Sequence, residues 1–548
     1  MARPDIYGPK ADRLTRLAVL ERSEEDMASR RETPAPPLMR VALGAIGGMF
    51  LCLAQYGAIW AWLGAASFML AVCGSSGVVG AAAGALAAAV ACFRAFNCYE
   101  GSLVFWLILS VQTAGGALAG SLASVISRRL PPQAFAFIAA LLPAGFEHLA
   151  SFGADGPLIS TALSQYGHPV IICIGRLGGL AAVTYVIFLF GGAVAIGVRY
   201  IRSPGVALAS AGSALGVVLA ALLFGALSSA SGDTLVQAAA MNLNSRVDDR
   251  QELFKSDSYD PKAWEDYTKG LIEQAGRVAG KQIVATAIGG TDAPKSVQLV
   301  VWPEAQVAVD DETRPKLIRQ IEMIARNYKC TVAAAFYDAG TTESAAVLAG
   351  TGGAAPVQYA RRRFASGIDD EFLGRVAKPG TDPPQAADGT FGKVGIIHSL
   401  DANNFENFAS IARSGGNLAC VCGLDDNAVR RTSFPLLVFN AALSGLAVVR
   451  SVHSGTLAAI SPDGKILSRE AAPERIDAQV LMTVPLGTGR TLFLVLGNLF
   501  AWVALFAGIG AGLYASTLPA GPAEEKTPRR PRPTAALSYR TKEGVKEV

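Results

Sequence analysis

Charge is what this sequence has least of. Only 17% of its 548 residues are Asp, Glu, Lys or Arg, against about 25% in ordinary soluble domains. A wholly soluble chain is therefore excluded, and the mean hydropathy of +0.35 agrees. The deficit is uneven. No charged residue occurs from Val41 to Phe93, Leu177 to Val198, Ser203 to Gly232 or Thr491 to Ala523. Lipid solvates neither a charge nor an open backbone, so uncharged apolar runs of about 18 residues or more read as membrane-spanning helices. A secretory signal is also missing, since the first 40 residues hold Arg13, Arg16, Glu24, Glu25, Arg30 and Arg31 without a short apolar core. They read as a polar tail. Cysteine is sparse where a metal site would need it. Cys52, Cys73, Cys92, Cys98 and Cys173 fall in or near spans, and only Cys330, Cys420 and Cys422 lie in the polar middle third. Cys420-Val421-Cys422 has no further ligands beside it and reads as part of a strand. No metal or cofactor is expected.

The remaining sequence divides cleanly. Breaks at Gln55-Tyr56-Gly57 and Gly74-Ser75-Ser76-Gly77 split the first apolar run into three short helices, and further spans are predicted near 103–126, 133–150, 174–198, 205–228 and 491–515. That makes about eight, seven of them ahead of the charged region. Arg128-Arg129, Arg199, Arg202 and a C-terminal tail with Arg529, Arg530, Arg532, Arg540, Lys542 and Lys546 then fall on one side, while the loop from Glu147 to Val170 carries no Lys or Arg. Positive residues are retained in the cytoplasm, so the soluble region is expected outside, which in a bacterium is the periplasmic face of the cytoplasmic membrane. This accounts for the basic tail without nucleic acid. The expected organisation is a polar tail at 1–39, a seven-span membrane domain at 40–232, a soluble domain at 233–488, a last span at 489–515 and a basic cytoplasmic tail at 516–548.

Between Asp233 and Arg490 charges recur every few residues and the segment is long enough to bury its own core. Ser296–Val301, Thr331–Phe336, Gly395–Ile397 and Leu418–Cys422 read as strands. Glu312–Tyr328 and Asn404–Arg413 read as helices, the first with Leu317, Ile318, Ile321, Ile324 and Ala325 on one face. Such alternation predicts an α/β layered fold.

The strand at Val297 runs into Trp302-Pro303-Glu304, and this segment resembles the catalytic-glutamate segment of the carbon–nitrogen hydrolase (nitrilase) superfamily. With seven spans before the domain and one behind, the architecture is similar to the apolipoprotein N-acyltransferase family. Pro143 to Pro169, Val448–Gly455 and Ile460–Lys465 are similar to the family's outside loop and late strand pair. The resemblance implies a nitrilase-like αββα sandwich outside the membrane, and transfer of an acyl chain from phospholipid to an amine. It also implies a general base, an oxyanion-stabilising lysine and a nucleophilic cysteine. Glu304 matches the base. Tyr359-Ala360-Arg361 puts Arg361 at the lysine position, and Ile397-His398-Ser399-Leu400-Asp401 puts Ser399 at the cysteine position with Asp401 beside it. Asp369, Asp401 and His453 are the expected supporting groups, and His453 with Asp401 would complete a Ser-His-Asp set. His398 precedes Ser399 on the strand and is expected to point to the opposite face, away from the site. Arg361-Arg362-Arg363 also reads as a solvated charge run or a patch for anionic headgroups.

The sequence departs from the family at supporting positions too, with Asp425-Asp426-Asn427-Ala428 lacking the family's tryptophan and Asn440-Ala441-Ala442-Leu443 lacking its charges. A serine hydroxyl needs a well-placed base where a thiol is already partly ionised, and arginine is bulkier than lysine and keeps its proton. Two functions are therefore expected as alternatives. One is an N-acyltransferase-like enzyme, weak or inactive in the family's reaction. The other is a non-catalytic homologue that binds phospholipid, a lipoprotein or another envelope protein, for example in conjugal transfer.

Overall fold

The computed structural model describes residues 35–519, apart from 94–102, 152–158, 229, 243–249, 251, 255–259, 284–285, 288–289, 292–294, 351–355, 364–377, 425–429 and 473–475. Among the described residues eight α-helices precede the first strand: α1 (Pro37–Leu53), α2 (Ala58–Val72), α3 (Gly77–Cys92), α4 (Leu103–Arg129), α5 (Pro132–Ala139), α6 (Leu141–Ala150), α7 (Pro169–Arg199) and α8 (Pro204–Leu227). Among the described residues five helices are long and apolar enough to cross a membrane: Pro37–Tyr56, Phe105–Arg129, Pro169–Arg199, Pro204–Leu227 and Leu499–Thr517. α2 and α3 are apolar but shorter. The run expected to be one span at 133–150 is two helices that meet at Ala140. α7 is kinked at Gly178 and Gly179, and Gly179 has φ of 71°.

Among the described residues the domain that follows holds two large sheets, beside two two-stranded ribbons between Gln282 and Ser296. The first contains β1 (Ser231–Asn242), β2 (Leu299–Val301), β3 (Ala308–Val309), β4 (Thr331–Asp338), β5 (Glu343–Ala349), β6 (Val357–Ala360) and β13 (Ala478–Gly487). Its order is β6-β5-β4-β2-β1-β13, with β3 paired to β4. The second contains β7 (Ala387–Asp388), β8 (Lys393–His398), β9 (Leu418–Gly423), β10 (Ala447–Val452), β11 (Gly455–Ile460) and β12 (Ile466–Ala472), in that order. Each sheet has a parallel centre, β1-β2-β4 and β8-β9-β10, with antiparallel strands outside it.

Side-chain alternation explains the layering. Val236, Ala238, Leu299, Val301, Ala333 and Ala335 of the first sheet pack on Val394, Ile396, Leu418, Cys420, Cys422 and Val449 of the second. The opposite face of the first sheet, with Val300, Val332, Ala334 and Phe336, is covered by α9 (Pro261–Ala279) and α10 (Arg314–Tyr328). α10 is amphipathic as expected, burying Leu317, Ile321, Ile324 and Ala325. The outer face of the second sheet, with Ile397, Val421, Val448 and Ile460, lies under α11 (Phe405–Arg413) and α12 (Arg430–Ser444). The result is a four-layer αββα sandwich. Its α11–α12 layer shares one continuous apolar core with the preceding apolar helices, including Ile172, Ile174 and Val183 of α7. Buried Arg176 of α7 reinforces that seam, donating to the Pro462 carbonyl at 2.6 Å, Asp463 Oδ1 at 2.7 Å and the Ala442 carbonyl at 3.1 Å. After β13 the chain returns through α13 (Leu492–Leu496) and α14 (Leu499–Thr517).

Candidate active site

β2 ends at Val301, and Trp302-Pro303 carries the chain to Glu304. Trp302 is fully buried under α9 and α10, which fixes the exit direction of the strand. The Glu304 amide donates to the Gly423 carbonyl at the end of β9 (3.3 Å), so this turn bridges the two sheets. Ala305, next in the chain, has φ of 48°. A side chain enters that left-handed region only at a cost, which the buried turn around Glu304 sustains.

Arg361 follows β6. Its amide donates to the Ser344 carbonyl on β5 and its carbonyl accepts from the Gly380 amide, both at 2.8 Å. The guanidinium donates from Nη1 to Glu304 Oε1 at 2.9 Å and from Nε to the Arg363 carbonyl at 2.7 Å. The Ser344 hydroxyl donates to the same Glu304 oxygen at 2.7 Å. Glu304 and Arg361 are both completely buried. Burial pushes the Glu304 carboxyl toward its neutral form. The Arg361 charge, His398 and the Ser344 hydroxyl outweigh that and hold its pKa well below the usual carboxylate range.

His398 is the last residue of β8, and its position corrects the expectation that it faces away from the site. Val394 and Ile396 point between the sheets while Ile397 points to the helices. By the same alternation His398 projects between the sheets, toward Glu304. Its Nδ1 is 3.6 Å from Glu304 Oε1, and its ring lies against Tyr359 with centroids 5.7 Å apart and planes 23° from parallel. The backbone of Ser399 opens the 3-10 turn Ser399–Asn403 directly after it. The Ser399 side chain and Asp369 lie outside the described residues.

Asp401 sits in that turn. Its Oδ2 accepts from the Tyr359 hydroxyl at 2.7 Å and the Arg362 amide at 2.8 Å. Burial raises its pKa despite these donors. His453, expected to join Asp401, instead lies behind Glu304, with its ring nitrogens against Arg250 and its Nε2 against the Glu304 carbonyl oxygen. Burial and the Arg250 charge push its pKa well below the ordinary range, and burial lowers Arg250 to about 10. The structure thus brings Glu304, Arg361 and His398 together, and gives Asp401 to Tyr359 and Arg362. Ser344 carried no sequence signal. His398 carried one, because Val394 and Ile396 share its parity.

Four polar atoms here are buried and have no hydrogen-bond partner among the described residues: Glu304 Oε2, both ring nitrogens of His398, and Asp401 Oδ1. Buried groups are normally paired, so a cluster of open ones marks a place prepared for a ligand or a proton transfer. Among the described residues no set of three metal-ligating side chains forms. A partly open cavity of about 80 Å³ lies elsewhere, among the apolar helices, with Leu51, Phe68, Ala87, Phe146 and Phe188 on its apolar walls and Gln112 and Glu147 as polar groups. The Glu147 carboxylate accepts from the Thr161 amide at 2.9 Å and from the hydroxyls of Ser160, Thr161 and Thr184.

No protein-family model matches the sequence, and neither does any curated protein. Solved structures similar to part of it include amidases. A cysteine-to-serine mutant of the Nesterenkonia AN1 amidase from the nitrilase superfamily is 16% identical over 45% of this chain and 90% of its own, with a TM-score of 0.33. An amidase from Nesterenkonia sp. is 17% identical over 46% and 90%, with a TM-score of 0.33. A further mutant of the AN1 amidase, carrying the acetamide moiety of fluoroacetamide on its active-site cysteine, is 15% identical over 47% and 94%, with a TM-score of 0.35. The roles of Glu304, Arg361 and His398 in this chain rest on their own geometry.

Proposed function

We propose that this chain is a membrane-embedded carbon–nitrogen hydrolase-like protein of the apolipoprotein N-acyltransferase type, weak or inactive in acyl transfer from phospholipid to lipoprotein amines. The observation that carries the reading is the buried Arg361–Glu304 pair at 2.9 Å. A general base must accept a proton, and a cation at an oxyanion hole must have donors free for the developing charge. Here the carboxylate is neutralised by the cation that would otherwise stabilise the oxyanion, and Ser344 occupies the same oxygen. Each group therefore weakens the other for the reaction, at a nucleophile position where serine needs more activation than cysteine. Loss of one oxyanion donor alone costs on the order of a hundredfold in rate.

A second reading, lipid or envelope-partner binding without chemistry, is favoured by the apolar cavity among the helices. The test is complementation of a strain depleted of its own N-acyltransferase, with mass spectrometry of lipoprotein N-termini. We expect little or no triacylation. Robust triacylation by the unmodified chain, abolished by Ser399→Ala, would falsify the proposal.

A further inference from the structure

We infer that Arg40 and Arg199 form a site for the phosphate headgroup of an anionic phospholipid, at the far end of α7 from the seam with the sandwich. The inference goes beyond the chemistry proposed around Glu304, since no residue of that site takes part. Arg40 lies in the first turn of α1, and Arg199 is the last residue of α7. Packing brings both to the C-terminal end of α2, where Arg40 donates to the Cys73 carbonyl at 2.6 Å and Arg199 to Cys73 Sγ at 3.7 Å. The turn beneath them is held by α4, whose Ser127 hydroxyl accepts from the Gly74 amide at 2.7 Å. Gly74 has φ of 74°, and a Cβ there would overlap the Arg199 guanidinium, so glycine lets the cation lie against the backbone.

Two guanidiniums meeting on one residue repel each other unless an anion joins them. Among the described residues neither has a carboxylate partner: the other contact of Arg40 is the Ala35 carbonyl at 3.3 Å, and Arg199 stands over the Tyr200 ring at 5.7 Å. Arg129 differs, because its guanidinium is taken up by the Ala515 and Leu518 carbonyls at the end of α14. A guanidinium carries five donors in a planar fork that fits a phosphate. Capping α2 accounts for Arg40. It does not account for Arg199, which is exposed, donates only to a sulfur and has further donors to offer. Retention of a loop by its charge depends on the number of Arg and Lys residues, not on their convergence. Apolar surface beside the pair points to a lipid and not a soluble anion. Leu38 and Met39 precede Arg40 and are exposed, as are Val198 and Ile201 on either side of Arg199. An amphiphile satisfies both surfaces at once, with its phosphate on the guanidiniums and its chains along the apolar helices.

The test uses the full chain in detergent, freed of co-purified lipid and titrated with dioleoylphosphatidylglycerol or dioleoylphosphatidylcholine, with bound lipid counted by native mass spectrometry. Phosphatidylglycerol is expected to bind more tightly than the zwitterionic lipid. Arg199→Ala and Arg199→Gln are each expected to weaken it about fivefold, the worth of one basic side chain at a membrane surface, in variants whose thermal unfolding matches the parent. Arg199→Lys keeps the charge and is expected to retain most of the binding. Arg319→Ala removes an exposed arginine from α10 and is expected to change nothing. Equal binding of the two lipids overturns the site, as does phosphatidylglycerol binding that neither Arg199→Ala nor Arg199→Gln weakens. An equal loss in Arg319→Ala also overturns it, because the effect is then one of net charge. Inorganic phosphate that displaces phosphatidylglycerol at the same concentration gives the arginines to a soluble anion and overturns the lipid assignment. Lipid counting needs no acyl transfer, so its outcome is separate from complementation, where the function proposal alone stands or falls.

Discussion

Removing the guanidinium of Arg361 would leave Glu304 as a carboxylate with no exposed surface and no cation. Breaking a buried ion pair at one end costs about 3–5 kcal/mol, whereas replacing both partners by apolar groups is often close to neutral. Arg361→Met is therefore expected to destabilise the protein strongly, and Arg361→Met with Glu304→Leu much less. The pH dependence has a definite sign. In the parent, the depressed Glu304 pKa contributes stability above the ordinary carboxylate value, and that stability is lost as pH falls through the folded value. In Arg361→Met the largest remaining influence is burial, which raises the folded pKa, so the penalty is full at neutral pH and shrinks as Glu304 protonates. Thermal unfolding in detergent between pH 4 and 8 checks this, and a loss that grows toward acid refutes it. Glu304 and Arg361 were legible as candidates because Trp302-Pro303-Glu304 and Tyr359-Ala360-Arg361 are contiguous signals. Their pairing was not, since it depends on how β2 and β6 lie in one sheet with β4 and β5 between them.

At the scale of elements, apolar periodicity located the helices better than their interruptions. Strand and helix limits in the sandwich fall within a few residues of those expected, for instance Thr331–Asp338 and Phe405–Arg413. The long apolar runs conceal breaks, because a run of uncharged residues reports burial or lipid exposure and not straightness. The last run divides at Gly497, with φ of 55°, into α13 and α14. The kink of α7 has a steric cause. A Cβ on Gly179 would lie 2.6 Å from Phe493 Cε2, and one on Gly178 would lie 2.6 Å from Phe500 Cβ, so both glycines admit the returning C-terminal helices. Gly179→Ala combines that overlap with a left-handed φ, a strain of about 1–3 kcal/mol before any clash. It is expected to lower the melting temperature. Gly197→Ala in the same helix has open space around its Cβ and serves as the control, with no loss and a small gain from helix propensity. Equal effects at both positions would remove the steric account of the kink.

For the whole molecule, the bundle of apolar helices has chemically different ends. At one end Arg40 donates to the Cys73 carbonyl at 2.6 Å, Arg199 donates to Cys73 Sγ at 3.7 Å, and Arg129 donates to the Ala515 carbonyl of α14 at 3.0 Å. These contacts gather basic side chains of α1, α4 and α7 against the ends of α2 and α14. The sandwich is fastened near the opposite end of α7, where Arg176 reaches Asp463 and the Asp463 carboxylate also accepts from the Ala230 amide at 2.7 Å and the Ser231 hydroxyl at 2.6 Å. Sequence alone separated Arg and Lys between alternate loops, but the convergence of Arg40 and Arg199 on one cysteine required the packed bundle. Positive side chains are retained on the cytoplasmic side because translocating them is unfavourable. The basic end is therefore expected inside and the sandwich outside. A periplasm-active reporter such as a phosphatase, fused after Gly232, should be active, and the same reporter fused after Ala523 should be silent while a cytoplasm-active one there is not. Activity of both fusions on the same side would remove the arrangement in which the chain crosses the membrane an odd number of times before the sandwich and once after it. It would also remove exported lipoproteins as substrates or partners.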